Sequence, residues 1–297
     1  MSTSRVDAAP AAMARPAAYF ALTKPDVTFL VVITTFAGYY LASTGPLDFA
    51  RLTSTIFGAT LMAAGTAALN HYLERNTDCA MRRTWTRPLP SGTLRPAEAL
   101  AFGLALDLGG ALYLAFLINP LASLLGAITS VSYLGVYTPL KRRTHHATTL
   151  GSFPGAVPPL IGWAAARGSL PVDAWVLFAI LFLWQFPHFL SIAWIYRKDY
   201  ERAGIRMISA GDPEGSATFS QILWTAALLV PATLLPAVTR LTSLHYFFEA
   251  LILGMALVAV CVWAARTKSN QRTRWLMHST SIYLLLLVSL LMLNKLR

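Results

Sequence analysis

The sequence contains few charged residues and few cysteines for its length. Charged residues make up 12% of its 297 positions, against about 25% in a typical soluble domain. Its two cysteines, Cys79 and Cys261, fall at a predicted helix end and inside a predicted membrane span, so neither a disulfide nor a zinc site is expected. The first 22 residues lack a basic start followed by an apolar run and a cleavage site, so no signal peptide is expected.

Apolar residues are abundant: the chain is 56% hydrophobic, with a mean hydropathy of +0.54. Apolar segments close to the roughly 20 residues needed to span a bilayer recur along its length. We predict an all-α polytopic membrane protein, in which 1–22 form a flexible cytoplasmic N-terminal segment and 23–297 form a single transmembrane domain. The nine predicted transmembrane helices cover 25–43, 53–73, 97–117, 120–139, 148–166, 172–195, 218–238, 246–265 and 275–294.

The net charge of +11 is distributed unevenly between the two predicted sides of the membrane. The positive-inside rule places the N-terminus and the long polar loops in the cytoplasm. Because the basic residues are split among short loops at membrane ends, a lipid bilayer is the expected partner and nucleic acid is not. The other side keeps few basic residues, namely Arg51, Arg167, Arg240, Lys295 and Arg297.

A polar face is predicted at the end of the second span. Asn70, Glu74 and Asp78 lie four residues apart, so their side chains share one side of a helix. Carboxylate and amide oxygens suit Mg²⁺, which takes substrate phosphate oxygens as further ligands. The alternative is an ordinary charged helix end with internal salt bridges. Three arginines follow, and the planar guanidinium of each can donate paired hydrogen bonds to the same phosphates. They are Arg82, Arg83 and Arg87.

A second polar loop follows the sixth predicted span. Asp199 lies among basic residues there, so it is either part of a solvated ion-pair loop or a further carboxylate ligand of a shared metal–phosphate cluster. In the second interpretation, Arg197 and Lys198 contact the diphosphate.

A shorter basic loop follows the fourth predicted span. It contains Lys141 and Arg142, which either set the membrane topology or form a phosphate clamp from a third direction. Neither interpretation is favoured by the residues of this loop alone.

Three further ionisable side chains within predicted spans are candidate functional groups. His188 follows Pro187 in the sixth span, and His71 lies inside the polar face of the second. Each histidine is either a hydrogen-bonded packing residue or a group that binds an acceptor substrate or takes up a proton. Asp107 lies in the third span, where acids indicate function by default, but the sequence shows no partner for it.

These motifs resemble the UbiA superfamily of intramembrane prenyltransferases, and most closely its haem-modifying branch. The resemblance extends from about residue 19 to residue 292. Three departures are visible. The second Asp-rich motif of many relatives is reduced to Asp199, and His188 stands where those relatives have an acid, as it does in the haem branch. Arg206 stands where the haem branch more often has proline. The matching blocks are Leu22–Pro25, Asn70 with Glu74 and Asp78, Arg83–Gly92, Tyr137–Arg142, Gly155–Trp163, Trp184–His188 and Lys198–Ile205.

The resemblance implies transfer of a farnesyl group from farnesyl diphosphate to the vinyl group of haem b, with water added, giving haem O and diphosphate. It implies Mg²⁺ as cofactor, the bacterial inner membrane as location, and haem A synthase or terminal oxidase assembly proteins as partners. The alternatives are another acceptor of the superfamily, a quinone precursor or chlorophyllide, and a small-molecule transporter. Polar residues gathered at one membrane rim argue against the transporter, whose sites lie near the midplane.

The resemblance and the chemistry together give each candidate residue an expected role. Asn70, Glu74, Asp78 and Asp199 are the expected metal ligands, and His188 is expected to act on the haem side. Tyr72 and Tyr196, with Trp184 and Phe186, are candidates to stabilise an allylic cation through their ring faces. The expected substrate-binding residues are Arg82, Arg83, Arg87, Lys141, Arg142, Arg197, Lys198, Tyr72, Tyr196 and His71.

Overall fold

The structure is a computed structural model that describes residues 13–296. Eight segments of this range are helical, long and apolar enough to cross a membrane. The prediction of an all-helical membrane bundle is therefore confirmed. The helices are α1 Arg15–Leu22, α2 Pro25–Ala42, α3 Phe49–Asp78, α4 Pro96–Leu117, α5 Pro120–Val131, α6 Thr138–Leu140, α7 Ala147–Ala156, α8 Pro158–Arg167, α9 Val172–Ile195, α10 Arg197–Arg202, α11 Ser216–Val238, α12 Leu244–Thr267 and α13 Asn270–Leu293.

The fifth predicted span is not a continuous helix. Residues 148–166 belong to α7 and α8, two helices of ten residues each that meet at Val157. Pro158 and Pro159 follow directly, and their missing N–H groups cannot continue the hydrogen-bond ladder of α7. Eight continuous spans and one broken pair therefore replace the nine helices expected from hydropathy.

Successive spans run in opposite directions, which gives the bundle two ends. We call the end that carries 79–95, 141–146 and 196–215 the loop face, and the end that carries 43–48 and 168–171 the opposite face. Helix α5 reaches the loop face through a π-helical turn, Ser132–Tyr137, which leads directly into α6.

Close packing of α2 on α8 depends on two glycines. A Cβ atom on Gly162 would lie 1.9 Å from the carbonyl oxygen of Thr35, and one on Gly38 would lie 2.1 Å from that of Pro159. Any larger residue would push the helices apart, so glycine is required at both crossings. This contact holds the broken pair α7–α8 against the start of the bundle.

The end of the N-terminal segment is ordered. Residues 15–22, expected to belong to a flexible segment, form α1, and its Ala18 and Leu22 are fully buried. They pack in an apolar cluster with Leu94, and Arg15 forms an ion pair of 2.5 Å with Glu98. Apolar burial therefore fixes α1, whereas residues 1–12 lie outside the described range.

Basic residues on the opposite face donate to backbone carbonyls at helix ends. Arg51 donates to the carbonyl oxygens of Ala165 and Ile118, at 2.9 and 3.2 Å. Arg167 donates to Ala42, at 2.5 Å. Lys295 donates to the carbonyl oxygens of Tyr40 and Ser43, at 2.6 and 2.5 Å. The C-terminal ends of α2, α4 and α8, which lack intrahelical partners, are thus capped by cations.

Candidate active site

The last three turns of α3 carry a buried polar row. Asn70, Glu74 and Asp78 are 1%, 7% and 0% exposed, and we call these three residues the polar row. Their four-residue spacing places them on one side of the helix, as the sequence predicted. The helix continues past the apolar part of the span, so the polar row lies at the loop face.

Two members of the polar row contact lysines from other segments. The Lys24 ammonium, just before α2, donates to Asn70 Oδ1. The Lys141 ammonium, at the end of α6, forms an ion pair with Glu74 Oε1. Buried carboxylates need such a partner, because an unpaired buried charge is strongly destabilising.

Asp78 is paired with a residue of the following loop. Arg87 Nη1 donates to both Asp78 carboxylate oxygens, at 3.0 and 2.9 Å. The hydroxyl of Thr84 donates to the Asp78 carbonyl oxygen at 2.9 Å, which folds the loop back onto the end of α3. Each member of the polar row thus contacts one cation. We call Lys24, Arg87 and Lys141 the row cations.

Lys24 was not singled out from the sequence as a site residue. Its backbone has φ 46°, in the left-handed region that non-glycine residues seldom adopt, and the chain turns there into α2. Burial lowers the pKa of Lys24 to about 8, and the neighbouring carboxylate of Glu74 partly offsets that effect. In the sequence, Lys24 was visible only as a lysine before Pro25, within the block Leu22–Pro25 that resembles the family.

The π-helical turn brings further groups to the polar row. Asn70 Nδ2 donates to Thr138 Oγ1 at 3.2 Å, and that hydroxyl donates to the Tyr133 carbonyl at 2.8 Å. The rings of Tyr133 and Tyr137 lie 5.1 Å apart, and Lys141 Nζ is 6.0 Å from the Tyr137 ring. Single π-turns are common at functional sites, and this one places the ring of Tyr137, with Tyr133 next to it, near a row cation.

The structure brings the two long polar loops together. Met81 from the first loop packs in one apolar cluster with Ile205 and Met207 from the second. The backbone N–H of Arg206 also donates to the carbonyl oxygen of Lys141 at 3.0 Å. The two loops and the end of α6 therefore form one surface over the polar row.

Charged side chains of the second loop are engaged mainly with each other and with α13. Asp199 forms an ion pair with Arg202, and its side chain is 12% exposed. Arg197 donates to the Trp194 carbonyl at 2.7 Å and to Asn270 Oδ1 at 2.9 Å. Lys198 is exposed. None of their hydrogen bonds or ion pairs among residues 13–296 is to the polar row.

Other predicted substrate-binding residues differ in their placement. The Arg83 guanidinium lies 5.1 Å from the centre of the Tyr196 ring, which joins the two loops. Arg82 and Arg142 are exposed at the loop face. Tyr72 packs against the apolar cluster of α1, on the side of α3 away from the polar row.

His71 is buried beside the polar row. It is 3% exposed, and neither ring nitrogen has a hydrogen-bond partner among residues 13–296. His71 therefore makes no hydrogen bond to the polar row in the described part of the chain.

His188 lies deeper in the bundle, between α9 and α13. Its Nδ1 is 2.9 Å from Thr280 Oγ1, and its ring stacks on Trp184 at 5.1 Å between centroids. The Thr280 hydroxyl donates its own proton to the Met277 carbonyl at 2.6 Å. The Thr280 oxygen therefore accepts from His188 Nδ1–H, which assigns the lone pair of the imidazole to Nε2.

Asp107 has two partners that the sequence did not show. Ser130 and Thr66 donate to its Oδ1 at 2.6 and 3.0 Å, and their two hydroxyl oxygens lie 2.6 Å apart. Thr66 lies one turn of α3 before Asn70. The cluster therefore joins α3, α4 and α5 next to the site.

The donor set of the polar row fits Mg²⁺. Two carboxylates and an amide oxygen are hard oxygen ligands, and Mg²⁺ in proteins usually keeps several positions for water and phosphate. No group of three His, Cys, Asp or Glu side chains that could hold a metal occurs in the described part of the chain. An ion on the polar row would therefore depend on phosphate oxygens to complete its coordination.

Comparison with known proteins identifies the family. The model of the UbiA prenyltransferase family matches residues 31–291. A Solibacter usitatus protein named protoheme IX farnesyltransferase is 45% identical over 286 residues, which cover 93% of this chain and 98% of that protein. A protein of the same name from Koribacter versatilis is 42% identical, covering 93% of each chain.

Solved structures share the fold at low sequence identity. A digeranylgeranylglyceryl phosphate synthase matches with a TM-score of 0.78 at 15% identity, covering 95% of this chain and 99% of that one. A UbiA homologue from Archaeoglobus fulgidus, bound to DMAPP and Mg²⁺, matches with a TM-score of 0.60 at 13% identity, covering 92% and 98%. The chain is an integral membrane protein and belongs to the UbiA prenyltransferase family.

Proposed function

We propose that this chain transfers a farnesyl group from farnesyl diphosphate to the vinyl group of haem b, with addition of water, giving haem O and diphosphate. The observation that carries the proposal is the buried polar row with its three row cations. Carboxylates for a metal and cations for a phosphate, gathered at one membrane end, fit a diphosphate headgroup. The names of relatives above 40% identity support haem b as the acceptor and farnesyl as the donated group.

Asn70, Glu74 and Asp78 would hold Mg²⁺, with Asp199 as a further ligand once it leaves Arg202. When bound, the metal supplies charge stabilisation for the departing diphosphate. The row cations, together with Arg83, would bind the phosphate oxygens that the metal leaves free. Arg82, Arg142, Arg197 and Lys198 lie at the rim of the same face and would attract the headgroup at longer range.

In the reaction, the C–O bond to diphosphate breaks and its electron pair leaves with the diphosphate. The terminal vinyl carbon of haem b bonds to the first farnesyl carbon. Water then adds to the neighbouring carbon and loses one proton. Tyr133 and Tyr137 would face the allylic cation, since their rings lie beside Lys141, with Tyr196 closing the site from the second loop.

The acceptor would lie on the membrane side of the polar row. His188 lies about 10 Å of helix rise before the end of α9, at 1.5 Å per residue, which is deeper than the headgroup site. Its Nε2 lone pair could bind the haem iron or take the proton that water loses.

We also propose that the loop face is cytoplasmic, in a bacterial inner membrane. The excess of Lys and Arg on the loop face supports that orientation. Haem A synthase and terminal oxidase assembly proteins are the proposed partners, since they would receive or use the product.

The test is product formation by the purified full chain. Lipid nanodiscs with the protein, haem b, farnesyl diphosphate and Mg²⁺ should yield a haem whose mass has increased by one farnesyl group and one water. EDTA should stop the reaction and Mg²⁺ should restore it. Conversion of a quinone precursor or chlorophyllide under the same conditions, with haem b unchanged, would contradict the proposed acceptor.

A further inference from the structure

The row cations come from three separate segments and contact every member of the polar row. Lys24 precedes α2, Lys141 ends α6, and Arg87 lies in the loop after α3. The polar row contains two carboxylates, so its local charge with the three row cations is net positive. Each expected metal ligand of the polar row thus already has an oxygen bonded to a side-chain cation.

We propose that the row cations act as internal counter-ions, so that the polar row binds a divalent cation together with a diphosphate and not by itself. The proposal rests on the proposed function, in which the polar row is the metal–diphosphate site. It adds a binding order: the diphosphate is the anion that releases the row cations from the carboxylates and the amide.

A divalent cation arriving alone meets two obstacles. It would be repelled by three nearby positive charges, in a buried site where such repulsion is weakly screened. It would also have to displace Lys141 from Glu74 and Arg87 from both carboxylate oxygens of Asp78. Lys141 and Arg87 would then have no acceptor, and an unpaired buried charge is strongly destabilising.

A metal–diphosphate complex removes both obstacles. The phosphate oxygens offer new acceptors to the row cations, each of which can move from a row oxygen to a phosphate oxygen. The carboxylates are then free for the metal. After this exchange every charged group has a partner of opposite charge. The metal site would therefore be complete only when the substrate headgroup is bound.

The proposal predicts opposite effects of one substitution on two ligands. Lys141→Met frees Glu74 and removes one of the three repelling charges, so a bare divalent cation should bind more tightly, by roughly three- to tenfold. The same variant loses one phosphate contact, so the metal–pyrophosphate complex should bind roughly 10- to 150-fold more weakly. Lys24→Met should change both affinities in the same directions, by smaller amounts because Asn70 carries no charge.

The experiment uses Mn²⁺ as the metal probe and inorganic pyrophosphate as the headgroup. Free Mn²⁺ is measured by its electron paramagnetic resonance signal at pH 7, with the full chain in zwitterionic nanodiscs. Wild type should leave Mn²⁺ alone largely free. With pyrophosphate present, it should remove more manganese from solution than empty nanodiscs do at the same Mn²⁺ and pyrophosphate concentrations. Arg272→Met is the matched control, because that loop-face cation contacts Trp263 rather than the polar row.

Two results would overturn the proposal. One is wild-type protein that binds Mn²⁺ alone as tightly as it does with pyrophosphate. The other is Lys141→Met protein whose affinity for Mn²⁺ alone is unchanged or lower. If either occurs while haem O is still formed, the binding order is wrong and the proposed function stands. If the binding results hold but no farnesylated haem appears, the proposed acceptor or activity is wrong instead.

Discussion

The two ends of the bundle use their cations differently. On the opposite face, Arg51, Arg167 and Lys295 donate to backbone carbonyl oxygens at the ends of helices. On the loop face, Lys141 and Arg87 contact the side-chain carboxylates of α3. Cations of the opposite face therefore join charge to the backbone, whereas the cations at the polar row join charge to charge. Elsewhere on the loop face, Arg197 and Arg272 also donate to backbone carbonyls.

This difference separates cations that keep one partner from cations that can exchange it for a ligand. A carbonyl at a helix C-terminus has no other partner and cannot move, so a cation that caps it contributes to stability. A buried ion pair contributes little net stability, because desolvation opposes the attraction, but either partner can pair with a ligand instead. The opposite face is thus expected to serve the fold, and the loop face the substrate.

The largest effect is expected from the carboxylates of the polar row. Glu74→Gln and Asp78→Asn should each reduce turnover roughly 100- to 1000-fold, because both weaken charge stabilisation of the leaving diphosphate. Haem binding, followed by the Soret band, should stay near wild type. Turnover within about threefold of wild type in either variant would remove that residue from the metal site.

A smaller effect is expected from the row cations. Arg87→Ala and Lys141→Ala should raise the KM for farnesyl diphosphate roughly 10- to 150-fold, the cost of a charge-assisted hydrogen bond. The KM for haem should change far less, because neither residue lies on the acceptor side. Equal changes in both KM values would mean that the substitutions disturb the fold rather than phosphate binding.

His188 lies at neither face and is expected to affect only the acceptor. His188→Ala should shift the Soret band or weaken haem affinity, roughly tenfold for the loss of one good contact, with pyrophosphate binding preserved. Thr280→Val is a useful companion, since it removes the acceptor of Nδ1–H and frees the ring to adopt the other tautomer. Wild-type haem affinity and spectrum in His188→Ala would leave His188 as a packing residue.

The smallest effect is expected on the opposite face. Arg167→Met removes a cation from the C-terminal end of α2 and should lower stability by about 0.3–1 kcal/mol, as is typical for a cation at an exposed helix end. A thermal melt in nanodiscs would show this as a slightly lower Tm. Turnover per folded molecule should be unchanged, and a selective loss of turnover would contradict the division between the faces.

Features that depend on the periodicity of a single helix were predicted well from the sequence. Apolar length located the spans, and the four-residue spacing placed Asn70, Glu74 and Asp78 together, because both follow from the geometry of a single helix. The break at Val157 was visible only as a proline cluster. Hydropathy does not distinguish a broken span from a continuous one, since the composition of both is equally apolar.

Contacts between distant segments could not be predicted from the residues. Lys24 is 46 residues from Asn70, and Lys141 is 67 residues from Glu74, so their pairing depends on how helices pack. The π-helical turn that presents Tyr133 has no periodic signal. Tyr72, by contrast, is adjacent to the row in sequence yet faces α1, because two residues turn a helix by about 200°.

The most direct test of the division between the two faces compares Lys141→Met with Arg51→Met. Isothermal titration should measure binding of Mg²⁺–pyrophosphate to each variant and to wild type, in the same nanodiscs. The account predicts that Lys141→Met weakens binding roughly tenfold or more, whereas Arg51→Met binds as wild type does. Equal affinities in all three proteins, or equal weakening in both variants, would contradict it.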